Sequence, residues 1–155
     1  MRPDIPEGYR FTKKVLAYLT QGERLLVFQQ PASPTAGIQV PAGTIEANEQ
    51  PLEAIIREVT EETGLTDFII NSKLGIYYYD MSAFRKEIQE RHVYHIILNE
   101  STPSEWRHFE TDGGKSIEQA ITFDFFWIPI DSSIQLAAGQ GLVLSKLSLR
   151  TERGT

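Results

Sequence analysis

The sequence predicts a single α/β domain, in which several strands surround one amphipathic helix. The length of 155 residues suits one domain with a substantial core. A helical repeat runs through the middle of the chain, whereas strand-like segments precede and follow it. We therefore treat residues 1–155 as one domain, with residues 1–9 as an N-terminal arm and residues 150–155 as a C-terminal tail.

The first part of the domain is predicted to be a β-hairpin. Phe11–Thr20 and Glu23–Gln30 have the composition of strands, and Gln21-Gly22 is predicted to form the short turn between them. A Pro-Ala-Ser-Pro run then interrupts the pattern. Gly37–Val40 resumes an extended segment that leads into Pro41-Ala42-Gly43.

The central helix is predicted to span Glu49–Thr63. Asn48 suits the N-cap, and Pro51 lies in the first turn, where its missing N–H costs little. Gly64 suits a left-handed C-terminal cap. At about 100° per residue, one side of the helix is apolar. The residues predicted to face the core are Leu52, Ile55, Ile56 and Val59.

Strands predominate in the second half of the chain. The segments predicted to be extended are Asp67–Ile70, Leu74–Met81, His92–Leu98, Trp106–Phe109 and Ile121–Ile128. A charged bend is predicted at Arg85-Lys86-Glu87 and a turn at Asp112-Gly113-Gly114. Ser133–Leu149 has the composition of a helix, so we expect it to close the domain.

Three glutamates crowd one side of the central helix. Glu58, Glu61 and Glu62 follow an i, i+3, i+4 pattern, and like charges at this spacing cost a helix a few tenths of a kcal/mol per pair. A divalent cation would turn this repulsion into binding. Because the chain has no cysteine, oxygen ligands for Mg²⁺ or Mn²⁺ are the natural choice. Such a site can hold a pyrophosphate and support its hydrolysis.

The same segment resembles the Nudix box. That pattern is a glycine, five residues, Glu, seven residues, Arg-Glu, an aliphatic residue, any residue, Glu-Glu, any residue, a glycine and an aliphatic residue. The matching residues are Gly43, Glu49, Arg57, Glu58, Val59, Glu61, Glu62, Gly64 and Leu65. The resemblance implies an αβα sandwich with a mixed central sheet, a box formed by a loop and helix, and a closing C-terminal helix. It also implies a Mg²⁺- or Mn²⁺-dependent hydrolase of nucleoside diphosphates linked to another group, which uses metal-activated water at phosphorus.

The resemblance assigns metal ligands and supporting residues. Glu58, Glu61 and Glu62 would bind the metal, with Glu61 or Glu62 touching the catalytic ion. The Ala42 carbonyl would join them, although many relatives have a glycine at this position.

Two further residues of the box would support these ligands. Arg57 would hold a helix carboxylate in place. Glu49 would support either the metal position or that arginine.

The general base and the substrate are less well determined by the sequence. We expect the base among the acidic residues between Glu110 and Glu118, and Glu118 is our choice. His92 and His95 lie in a strand pattern and are interpreted as packing or hydrogen-bonded residues. The tyrosines at 77–79 and two tryptophans could stack on a nucleobase. However, the alternation of residues in the predicted strands places most of these aromatic side chains in the core.

The composition of the chain limits the kinds of molecule that it is expected to bind. A net charge of −6 argues against nucleic acid, and we expect a cytoplasmic protein without membrane spans. A small phosphoanhydride is the expected substrate, and a homodimer is compatible with the resemblance. Two alternatives remain open at this point: a non-catalytic Nudix module that senses a nucleotide, and an RNA-end processing hydrolase.

Overall fold

The computed structural model describes residues 2–110 and 120–147. Within them lie seven strands and one long helix, α1 (Pro51–Thr63). The strands are β1 (Arg10–Gln21), β2 (Arg24–Gln29), β3 (Ala42–Thr44), β4 (Phe68–Asp80), β5 (Glu87–Leu98), β6 (Glu105–Glu110) and β7 (Ile121–Pro129). Short 3-10 turns occupy Pro34–Ala36 and Ala137–Gly139, and residues 144–147 are helical.

The strands form one mixed sheet in the order β4-β5-β1-β2-β7-β6, with β3 also pairing with β1. Only the β1–β5 pair is parallel among these described pairs. The predicted hairpin is present as β1 and β2, and Gly22 takes a φ of +63° in its turn. β1 therefore lies in the middle of the sheet, where it contacts β2, β3 and β5.

Both faces of the sheet are covered. Residues 15–20 of β1 are buried at every position, because alternate side chains enter two separate cores. One core contains Val15 and Ile55 of α1, and the other contains Leu16 and Leu147 near the end of the described chain. This arrangement confirms the predicted α/β sandwich.

Helix α1 begins later than predicted. Gln50, not Asn48, is the N-cap, and it forms a capping box with Glu53, whose Oε1 accepts the Gln50 N–H at 3.0 Å. Asn48 instead has a φ of +65° in the preceding loop. The C-terminal prediction is confirmed: Gly64 is left-handed at φ 78°, ψ 2°, and its N–H donates to the Thr60 carbonyl at 3.0 Å.

The buried side of α1 is also different from the prediction. Ile55 and Val59 are fully buried, but Leu52 and Ile56 are 48% and 44% exposed. Glu62 is only 5% exposed. The buried arc is thus turned by roughly 60° toward the carboxylates, because the helix packs to bring its glutamates against β3 and β6.

Two other predictions change in detail. The two extended segments at 67–70 and 74–81 are one strand, β4, with register shifts at Ile70/Ser72 and Lys73/Gly75. In the described part of the closing segment, residues 144–147 are helical and follow the Ala137–Gly139 turn. The predicted Asp112-Gly113-Gly114 turn lies outside the described residues. In the described part of the chain, no helix has the length and apolar character to cross a membrane.

Candidate active site

Arg57 joins the loop before α1 to the carboxylates of the helix. Its Nε and Nη2 donate to Glu49 Oε2 and Oε1 at 2.8 and 2.9 Å. Nη1 donates to Glu58 Oε1 at 2.7 Å and to Glu61 Oε2 at 3.4 Å. Nη2 also reaches the Thr44 carbonyl at 3.0 Å. A planar guanidinium can make this forked set of contacts, whereas an ammonium cannot.

Glu49 is held as a carboxylate by its partners. The hydrogen bonds from Arg57, followed by one from the Glu46 N–H at 2.9 Å, lower the pKa of Glu49 to about 2. The same hydrogen bonds, chiefly those to Glu49, raise the pKa of Arg57. The position of Glu49 therefore fits the predicted supporting role for Arg57.

Three carboxylates come together beside α1. One oxygen each from Glu58, Glu61 and Glu110 lies within 4.8 Å of the others. The Glu58 side chain is 12% exposed and that of Glu61 is 50% exposed. The sequence placed Glu110 at the start of an acidic loop, but it is the last residue of β6. In the sequence, Glu110 follows Trp106 and His108 at alternate positions, which places the three side chains on the same face of a strand.

His108 helps to fix β6 against α1. Its Nε2 lies 2.9 Å from the Glu61 carbonyl, so this nitrogen donates to one of the otherwise unpaired carbonyls at the helix end. A Cβ at Gly64 would lie 3.0 Å from the His108 ring. The C-terminal cap and the neighbouring strand therefore pack together and place Glu110 next to Glu61.

Glu62 lies beneath this cluster. Burial raises its pKa well above the usual value, the negative charges of Glu110 and Glu58 raise it further, and a hydrogen bond from the Ala42 backbone acts in the opposite direction. Burial also raises the pKa of Glu58, against the opposing effect of Arg57. The site thus concentrates negative charge where water solvates it poorly.

Gly43 is required because Glu58 approaches it closely. A Cβ built at Gly43 would lie 1.9 Å from Glu58 Cδ and 2.3 Å from both carboxylate oxygens. Gly43 is not among the glycines with positive φ. Its role is therefore to leave space for the carboxylate, and not to adopt a special backbone conformation.

The donor set fits a hard divalent cation. All the converging atoms are carboxylate oxygens, which Mg²⁺ and Mn²⁺ prefer. Ligands on opposite sides of a six-coordinate Mg²⁺ lie about 4.2 Å apart, which is compatible with oxygens that all lie within 4.8 Å. A cation would also offset the charge repulsion between these glutamates.

The structure brings together nearly all the residues predicted for the site. Glu49, Arg57, Glu58, Glu61, Glu62 and Ala42 lie in or against the cluster. Glu118, the predicted base, lies outside the described residues, so that assignment stays a prediction. Glu110 is an additional residue that the sequence alone did not assign to the metal.

The histidine interpretation is confirmed. His92 Nδ1 accepts from Lys73 Nζ at 2.7 Å, and its Nε2 lies 3.3 Å from Glu90 Oε2. His95 Nε2 lies 2.8 Å from Thr20 Oγ1. Both histidines are buried strand residues with hydrogen-bonding partners.

The candidate stacking aromatics have protein partners as well. The Tyr79 ring lies 4.3 Å from the Arg91 guanidinium carbon, and a Cβ at Gly139 would lie 2.3 Å from its Cε1. Trp106 stacks on Phe125 at a centroid distance of 5.2 Å. These rings therefore serve the packing of the protein.

Solved structures with the same fold share little sequence with this chain. The E. coli ORF135 protein is 22% identical with a TM-score of 0.62, over 96% of this chain and 97% of that chain. The Ap4A hydrolase of C. elegans is 19% identical with a TM-score of 0.62, over 90% and 97%. A UDP-X diphosphatase is 17% identical with a TM-score of 0.62, over 92% of this chain and 63% of that chain, so this chain spans less than two thirds of its length.

Sequence comparison identifies the family. A search of curated proteins finds no significant match. The family model of the NUDIX domain, however, matches residues 10–144, which include the whole box and all seven strands. The chain therefore belongs to the Nudix domain family, and the sequence prediction of a Nudix hydrolase of phosphoanhydrides is confirmed.

Proposed function

We propose that the chain is a divalent-metal-dependent pyrophosphohydrolase of a nucleoside diphosphate linked to another group. One observation carries the proposal: oxygens of Glu58, Glu61 and Glu110 converge within 4.8 Å of one another. Arg57 orients two of these glutamates by direct hydrogen bonds. Crowded carboxylates with a fixed orientation suit a metal site better than a solvated helix surface.

The proposed ligands come from three parts of the chain. Glu58 and Glu61 lie on α1, Glu110 ends β6, and Ala42 would add its carbonyl from β3. When bound there, Mg²⁺ or Mn²⁺ would lower the pKa of a ligated water and offset negative charge on the substrate phosphates. Glu62, which accepts a hydrogen bond from the Ala42 backbone, would be the third ligand from α1, as the resemblance implies.

Other side chains would position the ligands or accept a proton. Arg57 fixes Glu58 and Glu61 while Glu49 fixes Arg57. Glu118 remains the proposed general base, which would take the proton of the attacking water through a carboxylate oxygen. This division of roles leaves the helix carboxylates free to bind the cation.

A small anionic substrate is favoured over nucleic acid. The chain has a net charge of −6, which opposes extended contact with a nucleic-acid backbone. Two proteins of similar fold carry the names UDP-X diphosphatase and Ap4A hydrolase, and both names denote phosphoanhydrides linked to a nucleoside. The absence of cysteine is in keeping with the proposed cytoplasmic location.

A substrate panel tests this function. Nucleoside triphosphates, nucleotide sugars, ADP-ribose and dinucleoside polyphosphates would be incubated with Mg²⁺ or Mn²⁺, using wild type, Glu61→Gln and Glu62→Gln. We expect metal-dependent turnover of at least one substrate and a loss of about 100-fold or more in each variant. Glu23→Gln, at an exposed turn position, is the matched control and should keep full activity.

Three outcomes would contradict the proposal. Tight binding of a panel compound without any turnover would instead indicate a nucleotide-sensing module. Unchanged rates in both glutamate variants would refute the metal assignment even if hydrolysis occurs. Turnover of capped or triphosphorylated RNA in preference to the small compounds would favour the RNA-end processing alternative.

A further inference from the structure

Two basic side chains are neighbours on the sheet face opposite α1. Lys14 of β1 and Arg91 of β5 are register partners in the parallel pair. Lys14 alternates with Leu16 and Arg91 with Val93, both of which enter the core on that opposite face. Adjacent strands lie about 4.8 Å apart, and like charges at facing positions destabilise a sheet. The protein thus places two positive charges side by side in its central strands.

Within the described residues, Arg91 forms no ion pair with an acidic side chain. It is 3% exposed. Its Nε donates to Gln89 Oε1 at 3.0 Å, and Nη1 donates to the Tyr77 hydroxyl at 3.2 Å and the Ala138 carbonyl at 2.6 Å. Its Nη2 also lies 3.5 Å from Met81 Sδ. All four acceptors are neutral, so the hydrogen bonds hold the guanidinium in place without neutralising its charge.

Lys14 forms few direct contacts through its ammonium group. Its Nζ donates to Thr44 Oγ1 at 2.8 Å, and within residues 2–110 and 120–147 it forms no ion pair. An ammonium has three N–H donors, so this contact leaves two for a ligand. Burial lowers the pKa of Lys14, and the charge of Glu87 acts in the opposite direction.

The acidic group on this face is already engaged. Glu87 accepts from Arg85 Nε at 2.7 Å, from Thr12 Oγ1 at 2.6 Å and from Gln89 Nε2 at 2.7 Å. Arg85 therefore balances Glu87. Lys14 and Arg91 remain as a local positive excess in a chain whose overall charge is −6.

The positive pair adjoins the carboxylate cluster. Lys14 faces Thr44 across the β1–β3 pair, and the next pair along is Val15 with Gly43. Gly43 is the residue against which the Glu58 carboxylate packs. The Lys14 side chain leaves β1 on the face opposite Val15, but β3 is paired only with β1 in the described sheet, and Lys14 is close enough to the cluster for its charge to interact with those of Glu58 and Glu62.

We propose that Lys14 binds a phosphate group of the substrate next to the phosphate held at the carboxylate cluster, with Arg91 supplying a second positive charge behind it. The proposal rests on the proposed function and specifies its ligand class as a linear diphosphate or longer chain. Lys14 would donate directly, because it has unused N–H groups. Arg91 would act through its field, since its donors hold Gln89, Tyr77 and Ala138. A bound phosphate would relieve the repulsion between the two cations.

Binding of a non-hydrolysable diphosphate tests the proposal independently of turnover. Methylenediphosphonate would be titrated by calorimetry in MgCl₂ into wild type, Lys14→Met, Lys14→Arg and Lys13→Met. Because a hydrogen bond to a charged group contributes substantially to binding, Lys14→Met should raise the Kd by about 10- to 100-fold. Lys14→Arg should recover most of the lost affinity. Lys13 is exposed and has the opposite orientation on the same strand, so Lys13→Met should bind within about twofold of wild type.

Stability without ligand provides a second measurement. Removal of one of two neighbouring cations should leave the melting temperature of Lys14→Met equal to or above that of wild type. A large fall would indicate a structural lysine and contradict the proposal. Absent binding to wild type, equal affinity in Lys14→Met, or equal loss in Lys13→Met would also overturn it.

The two proposals can fail separately. If the substrate panel shows no hydrolysis but diphosphonate binding depends on Lys14, the proposed function fails and the phosphate site stands. If hydrolysis occurs while diphosphonate binding is independent of Lys14, the phosphate site fails and the proposed function stands.

Discussion

Substitution of Gly43 by alanine should disable the site while leaving the fold intact. The added Cβ would lie 1.9 Å from Glu58 Cδ, so the carboxyl group must withdraw by about 1.5 Å to reach an ordinary contact of about 3.4 Å. The backbone can accept alanine, because Gly43 does not have a positive φ. The displaced carboxylate would lose its 2.7 Å hydrogen bond from Arg57 and its place beside Glu61.

The size of the effect follows from this displacement. A misplacement of about 1 Å in a catalytic group can cost about 100-fold in rate, which corresponds to about 2.7 kcal/mol of transition-state stabilisation. We therefore expect kcat/KM of Gly43→Ala to fall by about 100-fold, with weaker Mn²⁺ binding. Steady-state kinetics on the best substrate of the panel and Mn²⁺ titration by electron paramagnetic resonance would measure these two effects.

Gly141→Ala is the matched control. A Cβ at Gly141 would have its nearest neighbour, Leu136, at 3.7 Å, which is an ordinary contact. This control should retain wild-type activity, and both variants should melt close to wild type. Full activity and unchanged Mn²⁺ affinity in Gly43→Ala would refute the role given to Glu58.

Three further predictions address the metal, the orienting arginine and the acid stability. Glu110→Gln should weaken Mn²⁺ binding by at least about tenfold. Glu105→Gln, an exposed position on the opposite face of the same strand, should not, and equal affinities in the two variants would remove Glu110 from the ligand set. Arg57→Lys keeps the charge but loses the forked contacts, so kcat/KM should fall about 10- to 100-fold, and a fully active variant would show that orientation is unimportant. Burial alone would raise the pKa of Glu87, but its side-chain hydrogen bonds lower it to about 2 from 4.5. The ionised Glu87 side chain therefore stabilises the folded protein above pH 4.5, and this contribution, at most about 3 kcal/mol, is lost as the pH falls toward 2. In urea titrations from pH 6 to 3, the free energy of unfolding should fall more for wild type than for Glu87→Gln. Equal losses in the two proteins would contradict this role of Glu87.

Local signals predicted the end of α1 well and its beginning poorly. Glycine adopts the left-handed conformation more easily than any other residue, so a glycine at position 64 predicts the C-terminal cap directly from the sequence. Asn48 was wrong as the N-cap because Pro51 and the Gln50–Glu53 capping box together start the helix two residues later. The choice between neighbouring caps depends on loop geometry, which the sequence pattern does not specify.

The orientation of α1 depends on packing beyond the helix. Leu52 and Ile56 belong to the apolar side of an isolated helix, but they are exposed because the helix turns Glu58 and Glu62 toward β3 and β6. Helical periodicity alone favours the burial of apolar residues. The site instead requires that the glutamates be partly buried. The predicted burial of Leu52 and Ile56 is therefore wrong, because the requirements of the site override the apolar pattern of the helix.

Contacts between distant strands explain the residues that sequence analysis did not assign. Glu110 meets Glu58 only because β6 pairs with β7 and packs against the end of α1. Lys14 and Arg91 become neighbours through the register of the parallel β1–β5 pair. No spacing along the chain encodes these contacts, whereas the ligands on α1 follow from helical geometry within a single segment.

In the proposed site, the carboxylates of α1 and β6 bind one divalent cation. Anomalous diffraction from crystals soaked in Mn²⁺ would locate that cation. We expect an anomalous peak about 2 Å from oxygens of Glu58, Glu61 and Glu110, and no such peak in crystals of Gly43→Ala soaked in the same way. A peak elsewhere, or none at this cluster in the wild-type protein, would contradict the proposed metal site.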